Sequence, residues 1–252
     1  MTKVTTQTVE FLGLRFQRIN AENALTAVWG LSEDDRFSYV VTPNVDHVVR
    51  LHRQRDDPIL WRAYEHAALT LCDSRVLKFL AHRSGKQLDL VTGSDLTARL
   101  LDTLNEPYPV AVVGGTPSLL KDLRALYPDI AWMHHDAPHG VLENQRAQQE
   151  IVEFIERCPA RLTFFAIGAP QSELVCSQIQ VRGRAQGVAL CCGASLEFIT
   201  GAKARAPLWM QRAGLEWLFR LGSEPRRLWR RYLVEGPQIF VIWRSWKFNS
   251  AR

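Results

Sequence analysis

From residue 38 onward the sequence alternates short apolar runs with longer segments of helical periodicity. Strands that are apolar on both faces and separated by helices form parallel sheets. The chain is therefore predicted to be an α/β protein with a Rossmann-like, mostly parallel sheet flanked by helices. The predicted strands are SYVVTPN, ALTLCD, PVAVVGG, DIAWMHHD, LTFFAIG and GVALCCG. The predicted helices are 46–55, 58–68, 75–83, 95–105, 117–126, 143–157, 171–184 and 195–200.

The residues before this alternation carry no evident chemistry. VEFLGLRFQRI alternates apolar and polar side chains and predicts a strand, and Asn20 and Gly30 bound a predicted short helix. The sequence has no run of 18 apolar residues and no signal-peptide pattern, so we expect a soluble protein that is not exported. Its five cysteines lack metal-binding spacing, and we expect them to be reduced in a cytosol.

Residues 201–252 differ in composition from the 200 residues before them. They contain eleven lysines and arginines against three acidic residues, and five of the eight tryptophans. Their spacing predicts a hairpin of two helices, the second beginning at Pro225. We therefore divide the chain into a Rossmann-like core, 1–200, and a basic, Trp-rich helical appendage, 201–252. The appendage suits an anionic membrane surface or an arginine clamp over a diphosphate, and solvated arginines on a plain surface are the simpler alternative.

Polar corners follow the predicted strands, and ligands of open parallel sheets bind at the carboxyl ends of the strands. Asp73 ends the second run, where a partly desolvated carboxylate is placed to act as a general base. An aspartate there is equally able to cap the next helix. Asp46 and His47 follow the first run and leave the same two interpretations open.

Glycines mark two corners that suit phosphate. In the corner 92–95, Gly93 and an N-cap at Ser94 place free backbone amides at a helix start. Gly114-Gly115-Thr116-Pro117 either receives a diphosphate or forms a tight turn, with Thr116 as the N-cap. Neither corner is a G-x-G-x-x-G or Walker motif, which disfavours dinucleotide oxidoreductases and P-loop NTPases.

A cluster of histidines, His134, His135 and His139, surrounds Asp136. It lacks the helical spacing of a zinc motif, which favours a polar loop over a metal site. The sequence contains no D-x-D element, so metal-chelated nucleotide-sugar binding of that kind is not indicated. It also contains no G-x-S-x-G motif.

Taken in order, these motifs resemble the WecG/TagA/CpsF bacterial glycosyltransferases, also called glycosyltransferase family 26. The resemblance runs from about residue 38 to 233. It implies a Rossmann-like core of the GT-E type, with a helical appendage that associates with the inner face of the cytoplasmic membrane. The markers are TPNVDHV, the strand-end Asp73, VTGSDL, VVGGTP, the HG pair at 139–140, GAP with Glu173, CGASLEFITGAKARAP and GLEWLFRLGSEPRRLWRRY.

The resemblance also implies a reaction and its residues. Members transfer a sugar, often N-acetylmannosamine from its UDP form, to a polyprenyl-diphosphate-linked sugar, with inversion and without a required metal or other cofactor. Asp73 matches the proposed general base, and Thr42 and Asn44 match a pair that lines the same pocket. The other candidate substrate-binding residues are Gly93, Ser94, Asp95, Gly114, Gly115, Gln171, Glu173, Arg205, Arg220, Arg227 and Arg231.

The sequence departs from the family pattern in three motifs. Ser74 stands where glycine is usual, Leu90 where arginine is usual, and Gln171-Ser172 where Lys-Gln is usual. Gln171 is thus one position early, and because a helix turns about 100° per residue, the replacement is not equivalent. We expect an altered donor or acceptor preference rather than lost activity, since Asp73 and the arginines remain.

The sequence therefore predicts a metal-independent, inverting glycosyltransferase of surface or exopolysaccharide synthesis, peripheral on the inner face of the cytoplasmic membrane. Its donor is expected to be UDP-N-acetylmannosamine or a UDP-hexose such as UDP-glucose, and a homo-oligomer is a further possible assembly. One alternative is a catalytically degenerate membrane partner of another transferase. The other is an α/β protein that binds nucleic acid through its basic tail, which the main hypothesis does not expect.

Overall fold

The computed structural model describes residues 7–104 and 107–250. Its strands are β1 (Gln7–Phe11), β2 (Leu14–Arg18), β3 (Ser38–Val41), β4 (Leu69–Thr70), β5 (Pro109–Val113), β6 (Ala131–His135), β7 (Leu162–Phe165) and β8 (Val188–Cys191). The last six form one parallel sheet in the order β4-β3-β8-β7-β5-β6. The predicted α/β class and all six predicted sheet strands are confirmed.

Helices cover both faces of this sheet. Alternate residues of a strand face opposite sides, so Phe164 and Phe165, both fully buried, belong to two different hydrophobic clusters. The core helices are α1 (Ala21–Ser32), α2 (Val45–Arg53), α3 (Pro58–Glu65), α4 (Arg75–His82), α5 (Gly93–Asp102), α6 (Pro117–Leu126), a short 3-10 helix (Val141–Glu143), α7 (Gln145–Arg157), α8 (Gln171–Arg182) and α9 (Ser195–Ile199). Each predicted core helix is present.

The amino-terminal segment is a hairpin, so the prediction of a single strand there was wrong. β1 and β2 pair antiparallel around Leu12 and Gly13, which both have positive φ. The alternation of side chains is interrupted only by the consecutive apolar residues Phe11 and Leu12, and the turn has only two residues, so the pattern concealed it. α1 begins after Asn20 as predicted, since the Asn20 side chain accepts from the Asn23 backbone at 2.8 Å, but the helix continues past Gly30.

The appendage holds more helices than the predicted hairpin of two. Gly214, with φ of 75°, ends the first of them in the left-handed conformation that glycine tolerates. A helix does begin at Pro225 as predicted, and it continues into a π-helical segment. The elements are α10 (Leu208–Ala213), α11 (Glu216–Ser223), α12 (Pro225–Trp229), the π-helical segment (Arg230–Glu235) and α13 (Gln238–Ser250).

The last of these, α13, packs onto the core, which the sequence did not predict. Ile239 is only 1% exposed and belongs to the core cluster that contains Phe11. The Trp246 ring meets the Phe11 ring edge-on, with centroids 5.2 Å apart. Trp243 Nε1 donates to Ser84 Oγ at 2.8 Å. α13 is therefore part of the folded unit and holds the rest of the appendage in place.

This packing makes α13 a source of stability. We expect Trp246→Ala to lower the free energy of unfolding by about 2–4 kcal/mol, because it opens a gap against Phe11. Trp229, which is 51% exposed, is the matched control, and its replacement by alanine should cost less than about 0.5 kcal/mol. Urea denaturation followed by tryptophan fluorescence and circular dichroism measures both. Equal losses in the two variants would contradict a core role for α13.

Candidate active site

A cavity of about 510 Å³ lies between the carboxyl ends of β3 and β4 and the appendage. Neither part encloses it alone, because both contribute to the wall. The core supplies Asn44, Asp46, Asp73, Ser74, Leu90, Thr92, Ser94, Asp95 and Phe198, among others. The appendage supplies Arg205, Gln211, Glu216, Trp217, Arg220, Arg231, Tyr232, Leu233 and Phe240.

Asp73 lies in this wall, three residues past the end of β4. The helix that follows is capped by Ser74, whose hydroxyl accepts from the Leu77 backbone at 3.2 Å. The alternative in which Asp73 caps α4 is therefore wrong. Ser74 caps the helix, and the Asp73 carboxylate is therefore not used as the cap of α4.

The surroundings of Asp73 change its protonation. Burial raises the pKa of this carboxyl to about 8, and the carboxylates of Glu216 and Asp95 push it in the same direction. A hydrogen bond from the Gly93 backbone and the guanidinium of Arg220 lower the pKa and offset part of the rise. A carboxylate with a pKa near the working pH is suited to remove a proton from a hydroxyl.

Gly93 lets α5 approach the end of β3 closely. A Cβ on Gly93 would lie 2.8 Å from Oγ1 of Thr42, which is buried, so any other residue would force the two elements apart. The predicted N-cap at Ser94 was wrong, because α5 begins two residues earlier than predicted, at Gly93, and is capped by Thr92, which accepts from the Asp95 backbone at 3.1 Å. Ser94 lies inside the helix, with its Oγ 3.3 Å from Oγ of Ser195.

Two arginines of the appendage reach carboxylates of the core across the cavity. Arg205 bonds Oδ1 of Asp95 at 2.8 Å, and Arg231 bonds Oδ2 of Asp46 at 3.1 Å. In the part of the chain that the structure describes, the buried Nε atoms of both arginines lack a hydrogen-bond partner. Buried donors normally have partners, so these two atoms suit an anionic ligand.

A third arginine, Arg220, also lines the cavity. Its guanidinium lies over the Phe198 ring, 5.6 Å from the centroid. Among the described residues it forms no ion pair within 4.0 Å, unlike Arg205 and Arg231. Of the three appendage arginines, Arg220 therefore has the charge that is most available to a bound phosphate.

Asn44 and His47 cap α2 together. The Asn44 side chain accepts from the Asp46 backbone at 3.0 Å, and Nδ1 of His47 accepts from the Asn44 backbone at 3.0 Å. Burial lowers the pKa of His47 to about 4, which keeps the ring neutral and able to accept that bond. The capping interpretation of His47 is thus correct, while Asp46 instead binds an arginine of the appendage.

Comparison with known families agrees with this architecture. The model of the glycosyl transferase WecG/TagA/CpsF family matches residues 9–252. The chain belongs to this family. The match confirms the resemblance drawn from the motifs, and it extends that resemblance to the β1–β2 hairpin and to α13. A glycosyltransferase role follows from membership.

Several predicted residues of this glycosyltransferase lie outside the cavity. Gly114 and Gly115 have φ of 84° and 80°, and a Cβ on either would lie 2.5 Å from a side-chain carbon of Ile167 or Leu119. Thr116 caps α6, as predicted for a tight turn. The close packing around Gly114 and Gly115 explains why this turn requires glycines. Among the described residues, the cavity wall includes none of seven predicted site residues, which are Thr42, Gly93, Gly114, Gly115, Gln171, Glu173 and Arg227.

Glu173 and Arg227 have other surroundings. Glu173 is buried in α8, 3.8 Å from Nε2 of His47, and burial raises its pKa to about 7. Arg227 lies on the exposed side of α12 and pairs with Glu224 at 2.6 Å. Gln171 is the first residue of α8 and is half-buried.

His134 and His135, which belong to the histidine cluster of the sequence, contact different parts of the structure. Nε2 of His134 lies 3.1 Å from the Gly114 carbonyl, and His135 packs on Phe154 with ring centroids 5.2 Å apart. Within residues 7–104 and 107–250, no three side chains of His, Cys, Asp or Glu are grouped so that they could hold a metal ion.

The wall contains residues that the sequence did not predict for the site, among them three aromatic residues and one acidic residue. Phe198, Trp217 and Tyr232 supply aromatic surface, and the rings of Trp217 and Tyr232 contact each other with centroids 6.1 Å apart. Glu216 supplies a carboxylate. Its position four residues before Arg220 places both on one face of a helix, a signal that was present in the sequence.

Proposed function

We propose that this chain is an inverting, metal-independent glycosyltransferase that moves a sugar from a UDP-sugar to a saccharide carried on a polyprenyl diphosphate. The observation that carries the proposal is Asp73, with its raised pKa, in a cavity that three appendage arginines also line. In this proposal residues 1–200 form the transferase core and residues 201–252 form a lid over it.

In the proposed reaction Asp73 accepts the proton of the acceptor hydroxyl. The hydroxyl oxygen attacks the anomeric carbon from the face opposite UDP, the bond from that carbon to the UDP oxygen breaks, and UDP leaves with the electron pair. Arg205, Arg220 and Arg231 are placed to stabilise the charge that grows on the diphosphate. Two of them must first exchange Asp95 and Asp46 for phosphate oxygens.

The cavity wall supports an altered substrate preference. Leu90 lines the cavity and pairs with Cys72 next to Asp73, so an apolar side chain lies where the family pattern has an arginine. Ser74 lines it as well. We expect a donor such as UDP-N-acetylmannosamine or UDP-glucose, and the apolar wall beside the base favours a donor with fewer charged groups.

The surface of the appendage supports attachment to a membrane. Among the described residues, most of the large apolar side chains that are exposed lie between 208 and 248, interleaved with arginines. No described helix is long and apolar enough to cross a membrane. We propose that this surface binds the inner face of an anionic bilayer. The exposed residues are Leu208, Trp209, Trp217, Leu218, Trp229, Leu233, Val234, Phe240, Val241 and Phe248.

Removing two of these side chains should weaken membrane binding. We expect the double variant Trp209→Ser, Trp229→Ser to bind phosphatidylglycerol vesicles with an affinity at least about tenfold lower, because both indoles leave water on binding. The matched control replaces Ile59 and Val181, which are 68% and 77% exposed on the core, with serine. Vesicle sedimentation measures both. Equal binding by the two double variants would contradict the proposed surface.

A transfer assay tests the function directly. The purified chain is mixed with radiolabelled UDP-sugars and a short-chain polyprenyl-diphosphate sugar, and the lipid product is counted. A donor that binds the native state should also raise the melting temperature. No transfer together with no heat of binding for any nucleotide sugar would favour the degenerate partner subunit. RNA binding with a steep salt dependence and no affinity for anionic vesicles would favour the nucleic-acid alternative.

A further inference from the structure

Glu216 is the first residue of α11 and lines the same cavity as Asp73. The other two acidic residues of the appendage are neutralised, Glu224 by Arg227 at 2.6 Å and Glu235 by Arg53 at 3.0 Å. Among the described residues the Glu216 carboxylate forms neither an ion pair nor a side-chain hydrogen bond. It therefore presents an uncompensated negative charge to the cavity.

The position of Glu216 is fixed by a contact next to the general base. Arg75, two residues after Asp73, donates from Nε to the Gln211 carbonyl at 2.7 Å. A Cβ added to Gly214 would lie 3.6 Å from Cδ of the same arginine, and the Gly214 N–H donates to the Gln211 carbonyl at 3.1 Å. The corner between α10 and α11 is thus tied to the start of α4. This tie fixes the first turn of α11 in the cavity wall that it shares with Asp73.

The remaining charges around Asp73 are largely paired. Asp95 of α5 is held by Arg205, and Asp46 at the start of α2 is held by Arg231 of the π-helical segment. Arg220 of α11 and the Gly93 backbone favour the ionised form of Asp73, whereas Glu216 and Asp95 oppose it. Asp73 and Glu216 are therefore the two cavity carboxylates that no arginine neutralises at ion-pair distance within the described residues.

We propose that Glu216 is a positioning residue for proton transfer, whose negative charge strengthens Asp73 as the acceptor of the hydroxyl proton. The inference rests on the proposed function. The proton passes from the acceptor hydroxyl to an Asp73 carboxylate oxygen, and the hydroxyl oxygen bonds to the anomeric carbon as UDP leaves. Glu216 exchanges no proton and acts only through its charge. The appendage thereby contributes to the chemistry as well as to binding.

The charge of Glu216 should be visible in the titration of Asp73. The pKa of Asp73, about 8 in the native protein, is raised by Glu216. In Glu216→Gln the acidic limb of the pH profile of kcat/KM should move to lower pH by about one unit, because one like charge is removed from a partly desolvated cavity. The plateau above the limb should fall about threefold to tenfold, because a weaker base accepts the proton less readily. Glu216→Asp, which keeps the charge, should restore the position of the limb.

A second measurement reads the same effect without turnover. Aspartate labelled with ¹³C at the side-chain carboxyl is followed by NMR as a function of pH, and the Asp73 signal is assigned by its loss in Asp73→Asn. Its midpoint should fall in Glu216→Gln and stay unchanged in Glu150→Gln. Glu150 is exposed on α7 and is the control for removal of one negative charge. Circular dichroism confirms that each variant is folded.

The two measurements separate the inference from the proposed function. An unmoved Asp73 midpoint, together with a rate that falls equally at every pH, would overturn the role of Glu216 and leave the glycosyltransferase proposal intact. A shifted midpoint in a protein that transfers no sugar from any UDP donor would uphold the coupling and overturn the proposed reaction. A midpoint that shifts equally in Glu150→Gln would also overturn the inference.

Discussion

Replacing Asp73 with asparagine is expected to lower kcat/KM for sugar transfer by about 10³-fold or more, because the amide cannot accept the proton of the acceptor hydroxyl. Asparagine has nearly the same shape, so binding of the nucleotide sugar should change by less than about threefold. Steady-state transfer assays and titration calorimetry measure the two quantities. Retained transfer in Asp73→Asn would remove the mechanism, whatever the state of the arginines.

The pH dependence of the melting temperature of Asp73→Asn shows whether lost activity reflects misfolding. The folded-state pKa of Asp73 is raised to about 8, so the folded protein binds this proton more tightly than the unfolded chain. Its contribution to stability is therefore present at low pH and is lost as the pH rises through about 8. Asp73→Asn should abolish that part of the pH dependence without lowering the melting temperature above pH 8. A large drop in melting temperature at that pH would show that the lost activity reflects misfolding.

Arg220→Ala is expected to lower kcat by about 10²- to 10³-fold. Removing one group that stabilises developing charge in an enclosed site has an effect of that size. Arg220 should matter more than Arg205 or Arg231, because those two are already held by Asp95 and Asp46. Arg220→Lys should recover only part of the rate, since an ammonium group lacks the planar fork that binds two phosphate oxygens at once.

Arg212→Ala is the matched control for this prediction. Arg212 is an exposed arginine of α10 in the same appendage and does not line the cavity. Its removal takes away the same charge from the same surface and should leave kcat within about twofold. Single-turnover kinetics with saturating donor isolates the chemical step in all three variants. Equal losses in Arg220→Ala and Arg212→Ala would indicate a general effect of surface charge.

The sheet was predictable because its strands are buried on both faces. A run such as LTFF is buried at every position and apolar at three of the four, a pattern that a surface helix or a half-exposed strand does not require. The hairpin turn at Leu12-Gly13 was hidden because it has only two residues and alternating side chains lie on both sides of it. α13 was missed for a related reason, since its apolar residues fall on both its core side, as with Ile239, and its exposed side, as with Phe240.

The candidate site was only partly predictable, because no single sequence motif determines the order of the strands in a sheet. The strand-end rule correctly placed Asp73 and Asn44 at one cavity, since β3 and β4 are neighbours. Gly114 follows β5, which lies three strands from β3, a separation of about 14 Å at the usual spacing. Its corner therefore opens at a different part of the same edge. The facing wall comes from the appendage, whose helix boundaries depend on Gly214.

The division of the cavity wall between the core and residues 205–240 has a consequence for biosynthesis. A nascent chain that has emerged only as far as residue 200 contains Asp73 but none of the three appendage arginines that line the cavity. Domains fold progressively as the chain leaves the ribosome, so the sheet can form before the site exists. Transfer competence would then be acquired only after the segment through α13 has been synthesised and has docked against β1. If Asp73 is the base as proposed, a partly made chain would hold this carboxylate without being able to act on the proposed UDP-sugar donor.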